Sequence, residues 1–187
     1  MSDTPKRKRG RERERPGPYR WAVQVFFLAI CLSAALSLAS EVSLGGAGAA
    51  AAGLVLAVFI GLGILFDIIG VAVTAADPRP FHSMAAHKAP GAREALMLLR
   101  NAGRVSSVCN DVVGDICGIV SGTTTAVIVV RLQAAFSLPE SVLLSVAVTA
   151  LVSGLTIGGK ALGKTVALNK STIVVYWVGR FLHLFHR

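Results

Sequence analysis

Four long runs of apolar residues, separated by shorter polar stretches, dominate the sequence. They cover about residues 21–40, 49–76, 105–130 and 137–157. About 20 apolar residues suffice for a helix that crosses a bilayer, and a longer run accommodates by tilting. The pattern therefore predicts an all-α integral membrane protein with four transmembrane helices.

Two polar or amphipathic stretches flank these runs. Residues 77–104 begin with a proline-rich turn and contain two short helical patterns separated by Ala89-Pro90-Gly91, which predicts a helical hairpin. Residues 160–187 mix aromatic and aliphatic side chains with basic ones, which predicts an amphipathic helix at the membrane interface. A fifth span is not expected there, because Lys170 and Arg180 bracket only nine residues.

The distribution of basic residues predicts the orientation of the spans. The mean hydropathy of +0.65 is typical of a membrane protein, yet the net charge is +9. Residues 1–20 hold eight of the nineteen Lys and Arg, while Arg131 stands alone between the third and fourth runs. The positive-inside rule then places both termini and the 77–104 hairpin in the cytoplasm. We expect a multi-pass protein of the cell membrane.

The basic N-terminal segment, residues 1–20, has almost no apolar content and is predicted to be a disordered cytoplasmic tail. Each basic residue near an anionic lipid surface contributes about 1 kcal/mol of attraction, so anionic lipid is its expected partner. Nucleic acid is not expected, since no aromatic residue precedes Tyr19. A cleaved signal peptide that ends in SAALSLAS remains an alternative for the first run.

Three aspartates, Asp67, Asp111 and Asp115, lie inside the apolar runs. A charged side chain in hydrocarbon costs about 2.5–3.5 kcal/mol on insertion scales, so such residues usually serve function. With a helical rise of about 1.5 Å per residue, the three lie roughly 13, 10 and 16 Å from the cytoplasmic ends of their runs. The predicted topology therefore brings them to similar depth on two antiparallel helices.

Helical spacing predicts a stripe of polar and small residues on the third run. It contains Ser107, Asp111, Gly114, Asp115, Gly118 and Gly122. Carboxylate, hydroxyl and amide oxygens without sulfur or imidazole favour a hard cation such as Mg²⁺, Ca²⁺, Mn²⁺ or Na⁺. A protonated aspartate that hydrogen-bonds to a neighbouring helix is the alternative for each position.

Enzymatic motifs do not occur in the chain. GxSxG, HExxH and phosphate-binding loops are missing, and the four histidines fall in the predicted interfacial segments, at His82, His87, His183 and His186. The three cysteines fall in apolar runs without zinc spacing, and we expect them to be buried packing residues. We therefore expect a protein that is not an enzyme.

Four short motifs, in order, resemble the transmembrane domain of CNNM/CorB/CorC-type magnesium and cobalt transporters. The resemblance covers residues 46–187 and leaves residues 21–41 as an additional transmembrane helix. The motifs are Leu65-Phe66-Asp67-Ile68-Ile69, Leu98-Leu99-Arg100-Asn101-Ala102-Gly103-Arg104, Ser106 to Asp115, and Thr156-Ile157-Gly158-Gly159-Lys160-Ala161. It does not extend to the CBS domains of that family.

The resemblance implies a homodimer and a divalent cation held between the spans. Asp67 stands where the family has a serine, while Thr156 and Gly159 replace a glutamate and a proline of the third-span motif. The first hypothesis is a reduced transporter or exporter of Mg²⁺, with Co²⁺ or Mn²⁺ as other candidates. Its expected ligands are Asp67, Asp111 and Asp115, assisted by Asn110, Ser106, Ser107 and Ser153. The second hypothesis is a non-transporting membrane scaffold or partner subunit that kept the fold without the ion site.

Overall fold

Helices account for nearly all of the chain that the computed structural model describes, namely residues 18–45, 48–136 and 142–185. No strand occurs within these ranges. Four helices are long and apolar enough to cross a membrane, and they are Tyr19–Leu44, Ala50–Ala75, Ala102–Ala135 and Val142–Asn169. The four predicted spans are therefore confirmed as helices. The predicted disordered tail, residues 1–20, lies outside the described residues up to position 17, as does the start of the fourth run at 137–141. Residues 18–20 are helical, so the prediction is wrong for them.

The helices follow one another with short connections. In chain order they are α1 (Pro18–Leu44), α2 (Ala49–Ala75), α3 (Arg79–Ala86), α4 (Ala92–Arg100), α5 (Ala102–Ser107), a π-helical segment (Val108–Gly114), α6 (Asp115–Ala135), α7 (Val142–Asn169) and α8 (Ser171–Phe185). The π segment joins α5 to α6 without a break, so the third span is one continuous helix with an irregular turn.

Helix α2 is the central element, and α5, the π segment, α6, α7 and α8 all pack against it. Glycines make this close packing possible. A Cβ at Gly63 of α2 would lie 3.3 Å from Cys117 Cβ on α6, and a Cβ at Gly163 of α7 would lie 2.9 Å from Ile68 Cγ1 on α2. Small residues let helices approach where lipid removes the hydrophobic driving force between them.

Helix α1 lies at the edge of the bundle and is held near both ends. At its start, the guanidinium of Arg104 lies 5.1 Å from the centre of the Trp21 ring. Towards its end, the hydroxyls of Ser40 and Thr124 are 3.3 Å apart, and Arg131 Nη2 donates to the Leu44 carbonyl at 2.7 Å. The additional transmembrane helix is thus attached to the third span rather than to α2 alone.

The predicted helical hairpin is confirmed by α3 and α4, and α8 packs on it. Phe81, Ala95 and Val175 are fully buried in this small core. Nδ1 of His183 lies 2.8 Å from Oε1 of Glu94, which links α8 to α4. Helix α8 leaves Ile173, Trp177 and Phe181 exposed on its outer side. Such an apolar side suits a membrane interface, and the interfacial position of α8 stays a prediction.

Two expectations from the sequence are wrong. Residues 160–187 do not form one helix, because α7 continues through Lys160 and Lys164 to Asn169 and α8 begins at Ser171. The lysines were expected to end the span, but the segment has no proline and keeps apolar residues at helical spacing. The exposed Cys31 is the second correction, since α1 has few neighbours at the edge of the bundle, whereas Cys109 and Cys117 are buried as expected.

Replacement of Gly91 by Ala tests the docking of α8 on the hairpin. Gly91 has a φ of 85°, and a Cβ there would lie 2.5 Å from the backbone nitrogen of Arg180. The left-handed backbone alone costs a non-glycine residue about 1–2 kcal/mol. We expect Gly91→Ala to lower the midpoint of thermal unfolding in detergent.

Gly103→Ala is the matched control for this variant. Gly103 lies in α5, and no atom is within 4 Å of the position a Cβ would take. Alanine is favoured over glycine in a helix by about 1 kcal/mol, so this variant should melt at the same temperature or higher. Equal midpoints for the two variants would contradict the close contact between Gly91 and α8.

Candidate cation site

Asp67 is buried in the C-terminal third of α2, with 5% of its surface exposed. The nearest basic group is on α7, where Lys164 Nζ lies 3.9 Å from Asp67 Oδ2. This distance is too long for a hydrogen bond, and Oδ2 has no hydrogen-bond donor. The side chain of Lys164 is 54% exposed, so its ammonium group is only partly withdrawn from the surroundings. Asp67 is therefore a buried carboxylate with an incomplete set of partners.

Asn110 of the π segment lies against Gly70, one helical turn along α2 from Asp67. A Cβ at Gly70 would overlap the amide of Asn110, so only glycine leaves room for that side chain. Asn110 Nδ2 donates to Ser106 Oγ at 3.3 Å, while its Oδ1 is buried without a donor. Two oxygen acceptors without partners thus lie on the same side of α2.

Lys160 brings a second ammonium group to this region. Its Nζ lies 3.7 Å from the position that a Cβ would take at Gly114, the last residue of the π segment. Lys160 is one helical turn from Lys164, so α7 directs one lysine towards the π segment and the next towards α2. The candidate site is therefore bordered by two carbonyl-type oxygens and two cationic side chains.

The part of the third span that lies against Gly70 of α2 is a π segment. Its hydrogen bonds run from residue i to i+5, so its turn holds one residue more than an α turn. Asn110 and Gly114 of this segment contact neighbouring helices, whereas Asp111 and Asp115 are exposed. Short π segments occur frequently at functional sites.

Asp111 and Asp115 lie apart from the buried side of the third span. Asp111 Oδ2 accepts a hydrogen bond of 2.8 Å from Ser107 Oγ, one turn earlier. Among the described residues, no group of three or more His, Cys, Asp or Glu side chains comes together in a way that could hold a metal ion. The three aspartates expected at one site are therefore not gathered into one cluster within this chain.

The remaining predicted ligands are divided between these places. Ser106 supports Asn110 near Asp67, and Ser107 bonds to Asp111 on the exposed side. Ser153 lies on α7 in a groove that faces α6. Of the seven predicted ligands, Asp67, Asn110 and Ser106 thus belong to the candidate site, and the other four do not contact it in the single chain.

Sequence reasoning missed Gly70, Lys160 and Lys164. The lysines were counted as charges at the end of a span, although Thr156, Lys160 and Lys164 follow one another at four-residue spacing, which places them on one helix side. Gly63, Asp67 and Gly70 are four and three residues apart and share one side of α2. These two patterns together were the signal for a site between the second and fourth runs.

The chain matches no protein-family model, and neither a curated protein nor a solved structure is detectably similar to it. The resemblance to CNNM/CorB/CorC-type transporters therefore stays a prediction from four short motifs. The fold and the site define the class more coarsely, as an all-helical protein with four helices able to cross a membrane and a buried carboxylate between two of them.

Replacement of Gly70 by Ala tests the contact between α2 and the π segment. The new methyl group would displace the Asn110 amide, and overpacking of this kind costs about 1–3 kcal/mol. We expect Gly70→Ala to lower the unfolding midpoint in detergent. Asn110→Ala alone should have little effect, since it also removes an acceptor that has no donor.

The double variant Gly70→Ala/Asn110→Ala provides the control. Removal of the amide makes room for the methyl group, so the double variant should recover most of the lost stability. Strictly additive effects of the two substitutions would show that Asn110 does not pack on Gly70.

Proposed function

We propose that this chain is a membrane transporter for a divalent cation, with Mg²⁺ as the first candidate and Co²⁺ or Mn²⁺ next. The observation that carries the proposal is the buried Oδ2 of Asp67, which has no hydrogen-bond donor within an apolar helix. Ionisable residues inside membrane helices usually mark a path for ions or protons.

The two buried oxygens that lack a hydrogen-bond donor favour a cation over a neutral ligand, and Lys164 already lies 3.9 Å from one of them, Asp67 Oδ2. Asp67 Oδ2 and Asn110 Oδ1 are both acceptors, and both lack a donor. Burial of an unpaired polar group costs about 1–3 kcal/mol on protein mutational scales, and a charge costs more. A cation between α2 and the π segment would give both oxygens a positively charged partner.

Mg²⁺ fits this sparse set of ligands. It usually keeps several waters and is bound through one or two carboxylates, whereas Ca²⁺ takes about 6–8 oxygen ligands. Asp67 supplies the charge, and the side chain of Asn110 supplies a neutral oxygen. On this proposal the ion is a cargo that retains part of its hydration shell.

Asp111 and Asp115 have a separate place in the proposal. Both are exposed in the single chain. A second copy of the chain, which the resemblance implies, would cover these carboxylates and give them polar surroundings.

The second candidate function is a membrane scaffold or partner subunit that does not transport. Lys164 favours it, because its ammonium group lies 3.9 Å from Asp67 Oδ2, and Lys160 brings a second ammonium group to Gly114 of the π segment. A lysine ammonium group in the site would neutralise the carboxylate and stabilise the fold without a transported ion. The two functions differ in whether an added cation binds.

Flux of Mg²⁺ into proteoliposomes that contain an indicator tests the transport proposal. Asp67→Asn keeps the shape of the side chain and removes its charge. We expect about a tenfold or greater loss of flux, since about 1.4 kcal/mol of lost cation binding already corresponds to tenfold. Asp77→Asn is the matched control with normal flux, because Asp77 is exposed at the end of α2 and bonds only to the Arg79 amide.

Thermal unfolding with and without Mg²⁺ separates the two functions. A transported ion that binds the folded state at 100 times its Kd stabilises it by about 2.7 kcal/mol, which raises the unfolding midpoint. The shift should be absent in Asp67→Asn. A folded wild-type protein with neither flux nor a saturable shift would contradict transport and support the scaffold.

A further inference from the structure

Polar side chains follow one side of α7 along most of its length, although α7 is apolar overall. They are Ser145, Thr149, Ser153, Thr156, Lys160 and Lys164, each three or four residues after the previous one. This spacing places them on one side of the helix. The stripe begins near the start of α7 and ends at the salt bridge between Lys164 and Asp67.

A groove between α6 and α7 faces the middle of this stripe. Its volume is about 170 Å³. The hydroxyls of Thr149, Ser153 and Thr156 line it from α7, and Ser121 and Thr125 line it from α6. Gly118 and Gly122 form part of its floor, so the groove has hydroxyl walls and little side-chain bulk at its base.

Ser121 indicates what fills the groove. Its side chain is 4% exposed, and its Oγ has no hydrogen-bond partner among the described residues. The neighbouring hydroxyls of Thr125 and Thr156 donate to carbonyls of their own helices at 2.7 and 2.8 Å. Ser121 therefore needs a partner from the groove, and a hydroxyl without one costs about 1–3 kcal/mol on protein mutational scales.

Water meets this need better than a lipid chain does. A water molecule takes about 30 Å³ in the liquid and requires two to four polar partners, which the lining hydroxyls and their carbonyls offer. An acyl chain has no hydrogen-bonding group and would leave Ser121 unsatisfied. The groove thus has room for several waters along its hydroxyl groups, and the apolar Val152 and Ile157 complete its lining.

We propose that the groove between α6 and α7 is a water-filled access path to the candidate cation site. Thr156 lines the groove, and Lys160 follows one turn later with its ammonium at Gly114. Lys164 then reaches Asp67 another turn along. The inference rests on the proposed transport function for its cargo, a hydrated divalent cation, but the presence of water can be measured without transport.

Cysteine accessibility in lipid vesicles tests the path. Ser153→Cys places a thiol in the groove, and Leu155→Cys places one two residues later on α7, at an exposed position outside the lining. Both are made with Cys31→Ser, because the native Cys31 is exposed. The probe is a membrane-impermeant trimethylammonium-ethyl methanethiosulfonate, supplied to both faces of the vesicles, and mass spectrometry follows labelling.

We expect Ser153→Cys to be labelled at least about tenfold faster than Leu155→Cys, since the reaction needs a hydrated thiolate. Ser83→Cys, exposed on α3, shows that the reagent is active. Equally slow labelling at positions 153 and 155 would overturn the proposal and indicate a groove filled by lipid or another helix. Equally fast labelling would also overturn it, since α7 would then not face hydrocarbon.

Flux after labelling completes the experiment. The attached group should reduce Mg²⁺ flux in Ser153→Cys and leave it unchanged in Leu155→Cys. Normal flux in a fully labelled Ser153→Cys protein would overturn the role of the groove as the path. Absence of flux before any labelling is a failure of the transport function alone, and the labelling rates still decide whether the groove holds water.

Discussion

The close approach of α2 to its neighbours is the constraint on which the rest of the structure depends. Gly63 and Gly70 admit the third span on one side of α2, and Gly159 and Gly163 of α7 admit Ile64 and Ile68 on the other. Asp67 lies between these contacts, so the packing that stabilises the bundle also buries a carboxylate. In lipid, such van der Waals contacts and interhelical polar pairs are the main sources of association.

The two helices beside the buried carboxylate are irregular or polar where they meet it. Asn110 of the π segment lies against α2 and Asp111 is exposed, so no second negative charge is buried beside Asp67. Helix α7 places the ammonium group of Lys164 3.9 Å from the carboxylate of Asp67. A bundle with Asp111 against α2 would place like charges together in a medium of low dielectric constant, where repulsion is strong.

Hydropathy predicted the four long helices well, because the number of apolar residues needed to cross a bilayer is fixed by its thickness. Proline and glycine likewise marked the α3–α4 hairpin, where Gly91 takes a φ of 85°. The π segment had no such mark, since VCNDVVG fits an α-helix equally well in composition. The site was only half predicted: Asp67 and Asn110 were identified, whereas Asp111 and Asp115 were assigned to it although they lie on an exposed side of the third span.

Lys164 gives the site a positive charge of its own, which the oxygen ligands do not provide. On the transport proposal, an ion at Asp67 would compete with the Lys164 ammonium for the same carboxylate, because two positive charges there repel each other. The lysine has a flexible four-carbon stem and its side chain is 54% exposed, so it would be free to withdraw when an ion enters and to return when the ion leaves. On the transport proposal, Asp67 is then never left as an uncompensated charge among apolar helices, with or without cargo.

On the scaffold proposal, the pair of Lys164 and Asp67 keeps the bundle neutral at Asp67 permanently. The exposed position of Lys164 is needed only for the first of these, since a permanent partner would gain most from being buried with its carboxylate and within hydrogen-bond distance of it.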